Sequence, residues 1–378
     1  MTLTGTTPRL LLVGMLVCAA AAVPAVDAPA AAGPGSRITV QDLGTLGGPT
    51  SSAWDVNERG QVVGIADTAS GVGHAFLWER GVMHDLGTLG GDGSGAVAIN
   101  ARGQVVGTSD TATGETHAFL WERGVMHDLG GPAGGSSSAR LVNSRGQVVV
   151  EHVVVDGFDL EVRPYLWDDG TLTPLGMMNE AFPEMYATDI SDRGWVTGYG
   201  WSATGAQDGF LWRDGTLIDL GPSQAWSLNE AGQVSGSLYD PDGTVNAIWQ
   251  DGSWTPLDQP GSDGLMNRIN ERGTVVGWNR YDGLETRPVL YRDGEVVDLD
   301  ISPGAGAATA VNDRDQAIGY DGPDALLWDA DRAVVLPPLD ATGSAVAHEI
   351  NARGVVVGWS STADGATRAV LWTTSRGS

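Results

Sequence analysis

Seven aromatic side chains, Tyr199, Trp201, Tyr239, Trp278, Tyr281, Tyr320 and Trp359, are the residues best suited to hold a ligand. Tyr199, Trp278, Tyr320 and Trp359 each follow a short apolar run ending in Gly, at a point where other copies of the same repeat place Ile65, Thr108, Glu151 and Ser237. Asp208, Asp242 and Asp282 fall among them in the sequence. Flat rings stack on the C–H faces of sugars, and neighbouring carboxylates and amides accept hydroxyl protons, so the mixture suits a carbohydrate. The plainer alternative is that these rings cap the ends of structural units.

Catalytic chemistry is harder to find. Of six histidines, His74, His84, His117 and His127 occupy identical positions in two adjacent copies, which suits a structural role better than a catalytic one. His152 and His348 stand alone, with no sequence-evident partner for a nucleophile or a metal. Neither Gly-x-Ser-x-Gly nor His-Glu-x-x-His occurs, and zinc-type ligand spacing is absent. Two carboxylates would suffice for a glycosidase, but 47 acidic residues guarantee chance pairs. Asp240-Pro241-Asp242-Gly243-Thr244 has a fragment of a calcium loop and reads better as a polar turn. No cofactor and no metal are expected.

The elements that must position these residues are repeats. The segment from His74 to Gly87 recurs unchanged from His117 to Gly130. A wider landmark, an apolar residue, usually Asn, two polar residues, Gly and a β-branched run, occurs eight times, with Asn57 and Asn351 in the outer copies; the mean spacing is 42 residues. A period of this size marks a solenoid, a propeller or an array. Each period contains four short strands, at residues 96–100, 104–109, 117–121 and 125–129 in the second copy. Asp-Gly at 169–170, 214–215, 251–252 and 293–294 tolerates the positive φ of a tight hairpin. Runs such as Ala118-Phe119-Leu120-Trp121 are apolar at consecutive positions, which implies sheets covered on both faces. Trp78, Trp121, Trp167, Trp212, Trp249, Trp328 and Trp372, with Tyr291 in the remaining copy, recur at the end of the third strand and should wedge neighbouring units together.

These features predict an all-β, eight-bladed β-propeller of four-stranded blades, with seven blades plus an irregular unit as the alternative. The last copy lacks its fourth strand. Residues 38–43 match the fourth-strand pattern and are expected to lie beside residues 368–372, closing the ring and hiding an open edge.

The repeat resembles the HAF family of bacterial extracellular repeat proteins, through His74-Ala75-Phe76, His117-Ala118-Phe119, Asp85-Leu86-Gly87-Thr88-Leu89-Gly90-Gly91 and Asn100-Ala101-Arg102-Gly103-Gln104-Val105-Val106-Gly107. The match is close from about Asp42 to Gly131 and looser to Trp372. The tripeptide becomes Arg163-Pro164-Tyr165, Asp208-Gly209-Phe210 and Arg287-Pro288-Val289 in later copies. The resemblance implies export and a repeated β architecture, and brings no reaction, ligand or catalytic residue with it.

Composition sets the remaining bounds. Apolar residues make up 42% and charged residues 18%, enough to bury a core, and the 55 glycines fall mostly at turns. A formal charge of −26 repels nucleic acid and anionic membranes. Arg9, an apolar run from Leu10 to Val23 too short to span a bilayer, and small residues through Ala32 read as a signal peptide over residues 1–32. The only cysteine, Cys18, lies inside it, so the mature domain of residues 33–378 would carry no disulfide. The expectation is a secreted, monomeric, non-catalytic binding or scaffold propeller, its partner an extracellular glycan or surface protein. The alternatives are a glycoside hydrolase or lyase using rim or channel carboxylates, and a structural spacer of the cell envelope.

Overall fold

The computed structural model of the protein describes residues 36–131, 135–156, 159–179, 184–201, 205–240, 243–257, 264–281, 285–299, 305–329 and 332–376. The expected signal segment, its cleavage points, Asp242 and Asp282 lie outside them. Every regular element among the described residues is a β-strand, and no helix there is long and apolar enough to cross a membrane.

The second repeat forms the strands Gly90–Ile99, Val105–Thr111, Thr116–Glu122 and Val125–Asp128, hydrogen-bonded in sequence order. The first begins at Gly90 rather than Ala96. Its glycines permit the close pairing, since a Cβ on Gly91 would lie 2.6 Å from that of Asp110. The turn between third and fourth strands is built as the sequence suggested: Asp169 and Gly170 have φ of 44° and 85°, the positive pair that a two-residue hairpin of matching twist requires.

Six sheets are four-stranded and one is seven-stranded. The seven-stranded sheet is two blades fused, because the strand Thr216–Leu228 pairs through Pro222 with the third strand of one blade and from Ser223 with the second strand of the next. Counted as hydrogen-bonded sheets there are seven; counted as repeats there are eight blades, numbered here from residues 47–85 as blade 1 to residues 345–376 as blade 8. The innermost strands of successive blades touch all the way round, and that of blade 8 touches that of blade 1.

Closure occurs where the sequence placed it. The strand Ser36–Asp42 pairs antiparallel with Thr367–Arg376, setting Val40 opposite Trp372, and so completes blade 8.

Three devices join the blades. The first is a ring of asparagines at the turn between first and second strands. Asn57 donates its side-chain N–H to the carbonyl of Asn100 at 3.0 Å, Asn100 to Asn143 at 2.9 Å, and Asn143 to Ser191 at 2.9 Å. After the one interruption at Ser191, Asn229, Asn270 and Asn312 continue the series, and Asn351 returns to Asn57. Within its own turn each of these asparagines also accepts two backbone N–H groups, those of Arg59 and Gln61 in the case of Asn57. The second device is a β-bulge at the same place in all eight innermost strands. The extra residue can reach the next blade, as when Thr188 donates to the Ala225 carbonyl, Asn267 to Ala308 and His348 to Ala53. The glycine of each Val-Val-Gly-type run faces that bulge: a Cβ on Gly64 would lie 2.0 Å from the Ser52 carbonyl oxygen.

The third device is the core, which lies between blades. Val63, Ala75 and Leu77 of blade 1 pack with Ala96, Ile99, Val105 and Phe119 of blade 2, which explains the consecutive apolar positions. The tryptophans wedge as expected: the Trp328 indole N–H donates to the Leu299 carbonyl of the preceding blade, and that of Trp372 to Pro337.

Candidate functional site

The seven predicted ligand residues divide when the chain folds. Second strands end, and third strands begin, on the face opposite the asparagine turns, so all seven positions fall on that face, as expected. Among the described side chains the blade 4–5 members converge. Tyr199 and Trp201, on the second strand Val196–Trp201, lie with ring centres 6.5 Å apart. Two residues not foreseen join them. Tyr186, on the innermost strand Met185–Ile190, sits 5.5 Å from Tyr199 and 6.1 Å from Trp201, and Trp226, the bulge residue of blade 5, sits 5.6 Å from Tyr199. Tyr186 is paired across the strands with Tyr199. Other blades place small or aliphatic residues at one or both of these positions, as with Ala307 beside Tyr320. Aligning the innermost strands, rather than the second strands alone, would have revealed both.

Polar groups edge this patch. Gln207 accepts at a single oxygen from the Tyr239 hydroxyl and from the Gln224 amide, both at 2.5 Å, so Tyr239 of blade 5 is tied to the third strand of blade 4. Glu151, buried on blade 3, accepts the Ala187 N–H at 3.1 Å. Burial pushes the Glu151 carboxyl above its ordinary range, with Arg140 opposing. Tyr186 is pushed up to about 12, first by burial and then by the Glu184 carboxylate, while burial also raises Tyr199 and Tyr239. All three phenols therefore stay neutral and can donate at physiological pH. The indole N–H of Trp226 is buried and makes no hydrogen bond. Asp208 is buried, 6% exposed, rather than displayed with the aromatics.

The remaining predicted residues lie on blades 6 to 8. Trp278 on blade 6 has the Arg280 guanidinium 5.7 Å from its ring centre. Tyr320 on blade 7 is exposed and pairs with Ala307 and Ala325. Trp359 on blade 8 pairs with Val346 and Ala369. The side chain of Tyr281 is outside the described residues; its backbone pairs with Glu285.

A second constellation lies on the axial side, one residue past the bulge. Asp55 on blade 1 accepts the N–H of Val56 at 2.6 Å and of Ile99, on blade 2, at 2.7 Å. Asp189 repeats this on blade 4 with Ile190 and Leu228. Arg268 of blade 6 reaches past blade 7 to Glu349 of blade 8, Nη2 to Oε2, at 3.0 Å. The Asp55 carboxyl is raised to about 7, mainly by burial and next by the Glu349 carboxylate, against the backbone N–H groups of Ile99 and Val56. Asp55 and Asp189 are each committed to backbone N–H groups of their own and the next blade, and Glu349 to the Ile350 N–H of its own blade and to Arg268, so their first role is to join blades. Among the described residues no group of His, Cys, Asp or Glu could hold a metal ion.

Two of the four repeated histidines, His74 and His117, brace turns, while His84 and His127 are exposed on the fourth strands. His74 Nδ1 lies 3.0 Å from both oxygens of Asp85, whose Oδ1 accepts the Gly87 N–H at 2.8 Å, and His117 and Asp128 repeat the arrangement. His348 is not isolated: it stacks on Trp54, ring centres 4.3 Å apart, across the boundary of blades 8 and 1.

No protein-family model matches the chain, and no curated protein sequence matches it. Solved structures do. The chain is similar to a prolyl endopeptidase, at TM-score 0.53 and 12% identity over 82% of this chain and 54% of that one. It is similar to dipeptidyl peptidase 4 of Porphyromonas gingivalis, at TM-score 0.52 and 8% identity over 80% and 54%. A third is the β-propeller domain of the Trilobed protease from Pyrococcus furiosus, at TM-score 0.45 and 13% identity over 66% and 81%. The chain spans about half the length of the first two, and at these identities the likeness is one of fold.

Proposed function

We propose that the protein is an exported, non-catalytic binding propeller, and that it holds an extracellular glycan on the aromatic patch of blades 4 and 5. The observation that carries this reading is the contact of Tyr186, Trp201 and Trp226 around Tyr199, edged by Gln207, Gln224 and the Tyr239 hydroxyl. Ring faces for stacking beside paired donors and acceptors are what a sugar ring needs. Export and membership of the HAF-repeat family belong to the same proposal and rest on the sequence features described above.

The test is a glycan array followed by calorimetric titration of the best oligosaccharide. Trp201→Ala and Tyr199→Ala should each weaken binding at least tenfold, while Trp278→Ala and Trp359→Ala leave it unchanged. Binding that survives loss of Trp201, or depends instead on Trp278 and Trp359, would remove the patch as the site.

A glycoside hydrolase or lyase is the second reading, favoured by one observation: Asp55 holds its proton up to about 7 beside Glu349, as a general acid does. Release of reducing sugar that disappears in Asp55→Asn and Glu349→Gln would establish it.

A further inference from the structure

The cationic side chains of this chain are all arginine; it has no lysine. Seven of its 21 arginines occupy one position, two residues after the ring asparagine or its serine counterpart, in every blade but the fifth, where Ala231 stands. All seven are exposed, on the face that carries the asparagine turns. Arg102 Nη1 donates to the Arg145 carbonyl at 2.9 Å, and Arg59 and Arg314 make longer bonds to Arg102 and Arg353. Each bond uses one of five guanidinium donors, and the remaining fork is free to meet a carboxylate or sulfate.

The residue just before this position divides the ring. On blades 4 to 7 it is Asp192, Glu230, Glu271 or Asp313, and each carboxylate accepts the equivalent N–H of the preceding blade, as Asp192 accepts from Ser144 at 2.7 Å. On blades 8, 2 and 3 it is Ala352, Ala101 and Ser144, and only blade 1 supplies an acid, Glu58. The outer turns of blades 1 and 2 add Arg80 and Arg123 to the same face, beside Glu79 and Glu122, which are held by Gln61 and Gln104. Six exposed guanidinium groups, Arg353, Arg59, Arg80, Arg102, Arg123 and Arg145, therefore face three carboxylates, Glu58, Glu79 and Glu122, from blade 8 to the inner turn of blade 3, and the outer turn of blade 3 adds two more, Asp168 and Asp169. The protein as a whole carries −26, and Asp168 and Asp169 bound the arc on blade 3.

We propose that this arc is a binding surface for an anionic polysaccharide, the arginine forks gripping successive carboxylates along the chain. Screening within about 8 Å at physiological salt lets the local cationic arc act against the distant acidic surface. A uronate polymer is favoured over nucleic acid for two reasons. The tryptophans nearest these arginines in sequence, Trp78 and Trp121, are packed into the cores between blades rather than displayed to stack on bases, and the net charge opposes the denser phosphate backbone. The surface is separate from the aromatic patch, which lies on the opposite face.

The test is retention of the full chain on immobilised polygalacturonate, with neutral dextran and a single-stranded oligonucleotide in parallel, eluted by NaCl. The wild type should be held by polygalacturonate and not by dextran. Arg59→Gln/Arg102→Gln/Arg145→Gln should lower affinity at least tenfold. Ala101→Glu/Ser144→Asp should do the same with an unchanged thermal midpoint, because it supplies blades 2 and 3 with the acceptors that blades 4 to 7 already have. This second variant decides the matter if the first fails to fold. Trp201→Ala should leave retention intact. The proposal is overturned if the wild type does not prefer polygalacturonate to dextran at low salt, if a folded neutralised variant is fully retained, if the oligonucleotide binds more tightly, or if Trp201→Ala abolishes retention.

Discussion

The Asn351 side chain donates to the Asn57 carbonyl at 2.9 Å, joining residues 294 apart in sequence and shutting a ring of blades. Asn351 also accepts the N–H groups of Arg353 and Val355, each at 3.0 Å, and is 4% exposed. Asn351→Ala strands these groups in a buried turn and should cost about 3 kcal/mol of stability. Asn351→Ser should cost less, because Ser191 in blade 4 still accepts its own turn N–H, that of Trp195, at 3.3 Å. Urea denaturation of the three chains gives the order, and an alanine variant as stable as the wild type would deny the ring any energetic role.

The duplicated His-Ala-Phe tripeptide should divide sharply in energetic terms. Phe119 is fully buried between blades 1 and 2, so Phe119→Ala should cost about 3–5 kcal/mol. His117, its side chain 15% exposed, pairs with the half-exposed Asp128, and His117→Ala should cost only about 1 kcal/mol. Equal losses on denaturation would mean that the histidine does more than brace a turn.

Asp55 sets a pH dependence. Its carboxyl is raised in the folded protein from 3.8 to about 7, so the folded chain binds the proton more tightly than the unfolded chain. The stability this contributes is complete below the unfolded value and is lost as pH rises through about 7. Burial raises Glu151 in the same direction. The thermal midpoint should fall between pH 5 and pH 8, and Asp55→Asn should flatten that fall. An unaltered slope in the variant would assign the effect elsewhere.

Removal of residues 1–42 takes away the strand opposite Thr367–Arg376 and the packing of Ile38 and Val40 against the core of blades 7 and 8. The shortened chain should leave an open sheet edge and elute as aggregate in size-exclusion chromatography. A synthetic peptide of residues 36–43 should restore the monomer. A well-folded monomer without the peptide would show that the closing strand is dispensable.

Architecture was legible because it is written eight times. One period predicts one blade, Asp169-Gly170 predicts its hairpin, and the spare strand near Ile38 predicts its partner. What escaped was how blades meet. Asn57 was visible as a landmark, yet its bond to the Asn100 carbonyl depends on a neighbour 43 residues away. The bulge at Trp54 has no local signature beyond the glycine that faces it across the sheet. The aromatic rim was half legible for the same reason: Tyr199 and Trp201 share a strand and were found together, whereas Tyr186 and Trp226 reach them from other strands. Trp278, Tyr320 and Trp359 were grouped by alignment, and a ring of blades holds equivalent positions apart.

Thr39 meets Thr373 across 334 residues of sequence. A ribosome adding about 5–20 residues per second makes the first partner roughly 17 to 67 seconds before the last. Throughout that interval the nascent chain carries a ribbon with nothing to pair with and a propeller that lacks its final seam. Whatever protects the chain during synthesis must therefore shield both ends of one sheet until the last residues emerge.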